Sequence, residues 1–541
     1  TPLYSSAASD VYKRQEQWFV DAKKLSKKPI KIVKEGKTTF FPSNWSKTFF
    51  QWMNDIEPWC ISRQIWWGHR IPAWYDENGN IFVAENEKDA VKLAKKKNKN
   101  KQFKLRQETD VLDTWFSSAL WPFATLGWPK KTEELNKFYP TSVLVTGFDI
   151  IFFWVARMLM MGNYFRKNTP FHKVYVHALV RDEKGQKMSK SKGNVIDPLD
   201  LINEYGADSL RFTLISMASP GRDVKLSKDR VTGNRNFITK IWSANNFLKL
   251  NNCKLDKKIN LTTIKLSINH WIYNEFIKTQ NLITKNIEIF RFDEAAKYAY
   301  QFVWHSYCDW YLEFLKPIFN SKNKSEIKEA KAFSSFMMAN ILRILHPFIP
   351  FFTESLWSLN AYKKIFNNYL ISSSWPNFKI INKFSKNQNN INDLIEIISN
   401  IRSTKAELKI TPKLYCDIFF GDKSAKLKKL VNENINIIKQ VGRVNNVLTT
   451  KIRDKNSIEI LVLKEKLSLN FNEDINLGSQ KDRILEKIER INKQITSLNN
   501  KLKNKAYVTN APKEIVQNDK NLVKELTIED GKLRSIVSSI N

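Results

Sequence analysis

Val143-Leu144-Val145-Thr146-Gly147-Phe148-Asp149-Ile150-Ile151-Phe152-Phe153-Trp154-Val155-Ala156-Arg157-Met158 is the stretch on which the fold turns. It opens as a short apolar run ending on Gly147, the pattern of a buried strand. The apolar residues then continue for too long to be a strand and read as a helix. Val174-Tyr175-Val176-His177 repeats the strand signal further on. Strand, helix and strand in succession predict a parallel α/β sheet. The turn between strand and helix is where such sheets bind nucleotides. A glycine there lets a ligand approach the backbone, and Asp149 can accept hydrogen bonds from ribose hydroxyls. Trp154 lies inside the helix and, taken alone, reads as core packing.

After the second strand come a turn, Asp182-Glu183-Lys184-Gly185-Gln186, the loop Lys187-Met188-Ser189-Lys190-Ser191, and Lys192-Gly193-Asn194. Two lysines and two serines on a glycine-flanked loop suit a mobile phosphate clamp. Lysine charge can neutralise a pentavalent phosphorus centre and a leaving pyrophosphate. In a chain this rich in lysine, a bare K-x-S-K also describes a solvated basic loop. Upstream lie Asp110-Val111-Leu112-Asp113-Thr114-Trp115-Phe116-Ser117-Ser118-Ala119-Leu120-Trp121-Pro122 and Trp59-Cys60-Ile61-Ser62-Arg63-Gln64-Ile65-Trp66-Trp67-Gly68-His69-Arg70-Ile71-Pro72.

The 541 residues are too many for one core and predict about three or four domains. Residues 1–15, TPLYSSAASDVYKRQ, lack an initiator Met and any periodicity, and are expected to be a non-native leader. Residues 16–60, with alternating pieces such as Ile30-Lys31-Ile32-Val33, read as the tail of an inserted domain. Residues 61–228 carry the α/β pattern. Residues 229–377 are helical throughout: Ile272, Phe276, Ile283, Ile287 and Phe290 share one helical face, and no glycine occurs between Gly233 and Gly421. Residues 378–475 alternate helix with strand-like pieces such as Ile460-Leu461-Val462-Leu463, a small α/β linker. In residues 476–541, Ile484, Ile488, Ile491, Ile495, Leu498 and Leu502 form an a/d seam. Asn510-Ala511-Pro512 interrupts it, and Leu522, Leu526, Leu533 and Ile536 offer a second stripe, so an antiparallel hairpin is expected. A dimerising coiled coil would show the same heptads.

Lys and Arg total 88 against 54 Asp and Glu, a formal net charge of +34. Nucleic acid is one reason for such an excess, and codon usage in an AT-rich genome is the other. Cys60, Cys253, Cys308 and Cys416 form no C-x-x-C, which argues against zinc or a disulfide framework and fits a reducing, cytoplasmic setting. The most apolar stretch, from Phe148 to Met161, is interrupted by Asp149 and Arg157, so no membrane span is expected.

Lys187-Met188-Ser189-Lys190-Ser191 is similar to the K-M-S-K-S signature of class I aminoacyl-tRNA synthetases. The stretches around Trp115 and Trp154 resemble the valyl branch rather than the isoleucyl or leucyl ones, and the resemblance runs from Glu16 to the end. It implies a multidomain α/β plus α protein. Its parts would be the second half of a Rossmann-like class I catalytic domain, a helical anticodon-binding bundle opening near Asn234-Arg235-Asn236-Phe237, the α/β linker, and a C-terminal antiparallel coiled-coil arm for tRNA. Residues 59–72 would return the chain from an editing insertion. Trp115, Ile150 and Trp154 would line a pocket for valine, two rigid indoles forming a narrow apolar slot. Lys187 and Lys190 would be catalytic. Met188, Ser189 and Ser191 would complete the ATP loop, with Gly147, Asp149 and His177 on the nucleoside side; a capped core histidine is the equal alternative for His177.

ATP with Mg²⁺ would be the cofactor pair, without protein-bound zinc, and valine and tRNA(Val) the partners of an expected monomer. The reaction implied is activation of valine to valyl-adenylate and transfer to tRNA, with editing in the complete protein. The sequence contains no H-I-G-H string. The chain is therefore expected to be a C-terminal fragment lacking that half of its active site, and inactive alone. The alternatives are an isoleucyl-tRNA synthetase and a non-catalytic tRNA-binding fragment.

Overall fold

The computed structural model describes residues 16–97, 103–256, 259–381, 384, 388–411, 413–420, 425–448, 457–471 and 477–539. The expected leader, residues 1–15, lies outside them. Two compact units emerge, residues 1–196, 216–227 and 288–293 in the first and the remainder in the second.

The first unit is built on a parallel sheet. Helix α1 (Ala22–Lys34) precedes strand β1 (Thr39–Phe41), and α2 (Thr114–Ser118) precedes β2 (Thr141–Gly147). After β2 the chain makes a 3-10 turn (Phe148–Ile150), a π turn (Ile151–Ala156) and α3 (Arg157–Phe165), and returns as β3 (Phe171–His177). Strand β3 lies between the other two, parallel to both, with His177 opposite Gly147 and Val174 opposite Leu144 and Phe40. Phe40, Leu144, Ile151, Val155, Met158, Phe171, Val174 and Val176 form the core on which this strand–helix–strand unit closes. Residues 16–60, expected to end an inserted domain, thus supply α1 and β1 to this same unit. Ile30-Lys31-Ile32-Val33 is helical, not extended: Asp21 caps α1 by accepting from Lys24 N, and Ile32 and Val33 are buried on its inner face.

The segment Phe148–Phe165 is long and apolar enough, on average, to cross a membrane, although Asp149 and Arg157 interrupt it. Here it is a core helix, with Met158, Leu159, Met160 and Met161 all buried.

In the second unit, α4 (Lys228–Leu250), α5 (Ser267–Glu288) and α6 (Lys324–Leu345) belong to a helical bundle whose core includes Ile272, Phe276 and Ile283. Phe290 does not continue their face. It lies beyond the end of α5 with φ at 61°, and its ring packs on Phe41 and Tyr175 of the first unit, to which it belongs. Helix α7 (Gln388–Glu407) introduces the linker sheet, β4 (Cys416–Phe420), β5 (Val444–Leu448), β6 (Ser457–Val462) and β7 (Glu465–Asn470), ordered β5-β4-β7-β6. Leu463, read as strand, instead forms the β6–β7 turn with Lys464, both at positive φ.

The chain ends in α8 (Leu477–Lys503) and α9 (Lys513–Ser539). Lys487 pairs with Glu529 at 3.0 Å and Lys501 with Asp519 at 2.9 Å, so the two helices run antiparallel. Ile484, Ile488 and Ile491 are buried along the expected seam. On α9, Leu533 and Ile536 are buried, but Leu522 is 42% exposed and Val516 takes an inward place instead. Helix α9 is unbroken over its length, so the stripe keeps its phase; Leu533 and Ile536 are buried because they join the core shared with the linker sheet, which Leu522 does not.

Candidate active site

The carboxyl ends of β2 and β3 meet at the glycine turn. Gly147 is buried and extended, and a methyl group built on it would stand 2.6 Å from Asp149 Oδ1 and 3.7 Å from His177 Cε1. Parallel pairing thus brings Gly147, Asp149 and His177 into one small space, with both polar side chains exposed. His177 Nδ1 lies 2.9 Å from Ala178 O, which orients the ring.

The lysine–serine loop follows β3. Its shape comes from side chains outside the signature. Asn194 Oδ1 accepts from Ser189 N at 2.9 Å, and Asn194 Nδ2 donates to Asp182 Oδ2 at 2.9 Å and to Lys187 O at 3.2 Å. The amide of Asn194 and the N–H of Gln186 hold the Asp182 carboxyl below its ordinary pKa. Ser189 and Ser191 share a hydroxyl contact at 3.1 Å. A 3-10 turn over Lys190–Lys192 ends on Gly193, whose φ of 64° favours glycine. Lys187 and Lys190 are exposed and Met188 is half-buried.

Trp115 rides on α2, and Trp154 sits in the π turn, a wide helical turn common at functional sites. Trp154 Nε1 donates to Ser118 O of α2 at 3.2 Å, so both indoles are fixed to the same short helix. Their nearest ring partners are Phe153 for Trp115 and Trp121 for Trp154. Ile150, half-buried, closes the 3-10 turn between Asp149 and the π turn.

Sequence reasoning missed the polar group behind this wall. Asp113 Oδ2 accepts from Trp59 Nε1 at 2.8 Å and Arg63 Nη2 at 2.9 Å, and lies 3.5 Å from Arg157 Nη1. Asp113 Oδ1 caps α2, accepting from Trp115 N at 3.1 Å. Burial lowers the pKa of the Arg157 guanidinium to about 10, against the raising effect of Asp113. Two signals were present: an Asp directly before a helix, and a cation in the most apolar helix of the chain, which demands a partner.

Three family models match the sequence. It matches tRNA synthetases class I (I, L, M and V) over residues 5–227 and the anticodon-binding domain of tRNA ligase over 269–420. The valyl tRNA synthetase tRNA binding arm matches residues 476–541. Between them these models of tRNA synthetase parts match most of the chain.

The chain is 53% identical over 505 residues to the valine--tRNA ligase of Pelagibacter ubique (strain HTCC1062), covering 93% of this chain and 57% of that protein. It is 44% identical over 550 residues to that of Rhizobium meliloti (strain 1021), covering 97% and 58% respectively. Over nearly all of its length the chain is similar to valine--tRNA ligases, and it spans a little over half the length of these curated relatives. Among solved structures, the LeuRS–tRNA–LeuAMS ternary complex of Agrobacterium radiobacter K84 aligns with a TM-score of 0.49 at 17% identity, over 70% of this chain and 47% of that one.

Proposed function

We propose that this chain carries the K-M-S-K-S side of a valine-activating site and the tRNA-binding half of the same enzyme. The observation that carries the reading is the juxtaposition at the ends of β2 and β3. Gly147, Asp149 and His177 converge there, and the chain leaves directly into the turn that holds Trp154. In this reading valine's carboxylate attacks the α-phosphorus of ATP, giving valyl-adenylate and pyrophosphate. The terminal ribose hydroxyl of tRNA then attacks the activated carbonyl, and AMP leaves.

Asp149 would accept the ribose hydroxyls, with Gly147 giving the nucleoside room beside the backbone. His177 would flank it. Lys187 and Lys190 would meet the charge that builds on the phosphates, with Met188, Ser189 and Ser191 completing the ATP-binding loop. Trp115, Ile150 and Trp154 would hold the isopropyl group of valine. An apolar slot of this kind discriminates by about 1–3 kcal/mol per methylene, so steric exclusion of longer side chains falls to the rigid indoles. Mg²⁺ would enter with ATP, mostly through phosphate oxygens.

The test is ATP–pyrophosphate exchange by the full-length gene product with valine and, separately, isoleucine. Valine-dependent exchange is expected to dominate. Preference for isoleucine would assign the protein to the isoleucyl specificity, and tRNA binding without any exchange would leave only a binding role.

A further inference from the structure

We infer that Asp113, with Arg63 and Arg157, is a positioning unit that sets the two indoles of the amino-acid pocket; the inference rests on the valine-pocket reading. One carboxylate ties together three segments far apart in sequence. Through Oδ1 it fixes the backbone of Trp115, and through Oδ2 it holds Trp59, Arg63 and Arg157. Arg157 directly follows the π turn that carries Trp154, and its guanidinium lies 3.8 Å from the Trp59 ring centroid. The side chains of Asp113 and Arg157 are 6% and 10% exposed. A buried ion pair adds little stability over well-packed apolar residues. What it adds here is direction: a planar guanidinium between a carboxylate and an indole face fixes rotation, which apolar packing leaves loose. Rotation of α3 against α2 would move Trp154 relative to Trp115 and change the width of the slot. A slot that must reject one extra methylene is sensitive to such movement.

In the full-length gene product, Arg157→Met is expected to raise the valine KM about tenfold in ATP–pyrophosphate exchange. It should lower the valine-to-isoleucine ratio of kcat/KM by a similar factor and leave the KM for ATP unchanged. Arg157→Lys, which keeps charge but not the planar fork, should recover part of the loss. Trp59→Phe removes one donor to Asp113 while keeping a ring under the guanidinium, and should shift both readouts the same way by a smaller factor. If Arg157→Met proves unfolded by its thermal midpoint, Trp59→Phe decides. Variants that lose thermal stability yet retain the valine KM and the discrimination ratio overturn the inference. An unmutated protein without valine-dependent exchange would instead overturn the pocket reading, and the inference with it.

Discussion

Lys190 stands exposed at the start of a turn whose shape does not depend on its ammonium group, since Asn194 and Asp182 hold the loop. Removing that side chain should therefore leave the loop in place and delete only its charge. Lys190→Ala in the full-length gene product should slow valine-dependent exchange by about 10²-fold, with the valine KM unmoved, as expected for a transition-state contact. A change confined to the valine KM would refute the assignment. His346 offers a pH test. Burial holds its imidazole pKa below the ordinary 6.5, against the raising effects of Glu354 and Asp208, and its Nδ1 lies 2.8 Å from Thr353 Oγ1. Above pH 6.5 both folded and unfolded forms are neutral there, and no cost arises. As pH falls through 6.5 the unfolded chain takes up a proton first, so stability is lost on the acid side. Thermal unfolding at pH 7 and pH 5.5 should show a smaller acid-induced drop in Tm for His346→Gln than for the unmutated chain. Equal drops would show that the histidine does not contribute.

At the scale of elements, the C-terminal hairpin separates a packed side from a solvent side. Its inner side is committed to folding: Ile484, Ile488, Leu533 and Ile536 belong to the core cluster shared with the linker sheet, and Lys487 also pairs with Glu407 of α7 at 2.6 Å. Deleting the hairpin would strip that core as well as any RNA-binding surface. Charge reversal on the solvent side separates the two. Arg490, Lys493 and Lys503 are exposed, and changing all three to Glu should leave Tm nearly unchanged while weakening tRNA binding. The slope of log K against log salt should become shallower by about 0.9 for each phosphate that is no longer neutralised. An unaltered slope would remove this face from the tRNA interface.

At the scale of the whole molecule, the proposed reading has the basic loop face a second phosphate site, and the sequence supplies no H-I-G-H string. Among the described residues β2 pairs with β3 alone, and Val143 and Val145 on it are 37% and 58% exposed. Residues 16–541 purified alone should give no valine-dependent exchange above background, because a half-built site cannot supply the orientation that holds reactants together. Turnover comparable to a complete class I enzyme would reveal a second phosphate site within this sequence. What the sequence determined by itself was whatever a local pattern encodes. The strands ending on Gly147 and His177, the helical bundle and the Ile484–Ile488–Ile491 seam are each readable from apolar spacing over one or two turns of chain. The tertiary structure alone decided which distant residues meet. Parallel pairing put Gly147 opposite His177, packing sent Phe290 away from its helical face, and Asp113 drew Trp59, Arg63 and Arg157 from separate segments. No periodicity contains those facts, because a strand's partner and a buried charge's partner are fixed by long-range burial, where an unpaired polar group is costly and only the folded chain can supply its mate.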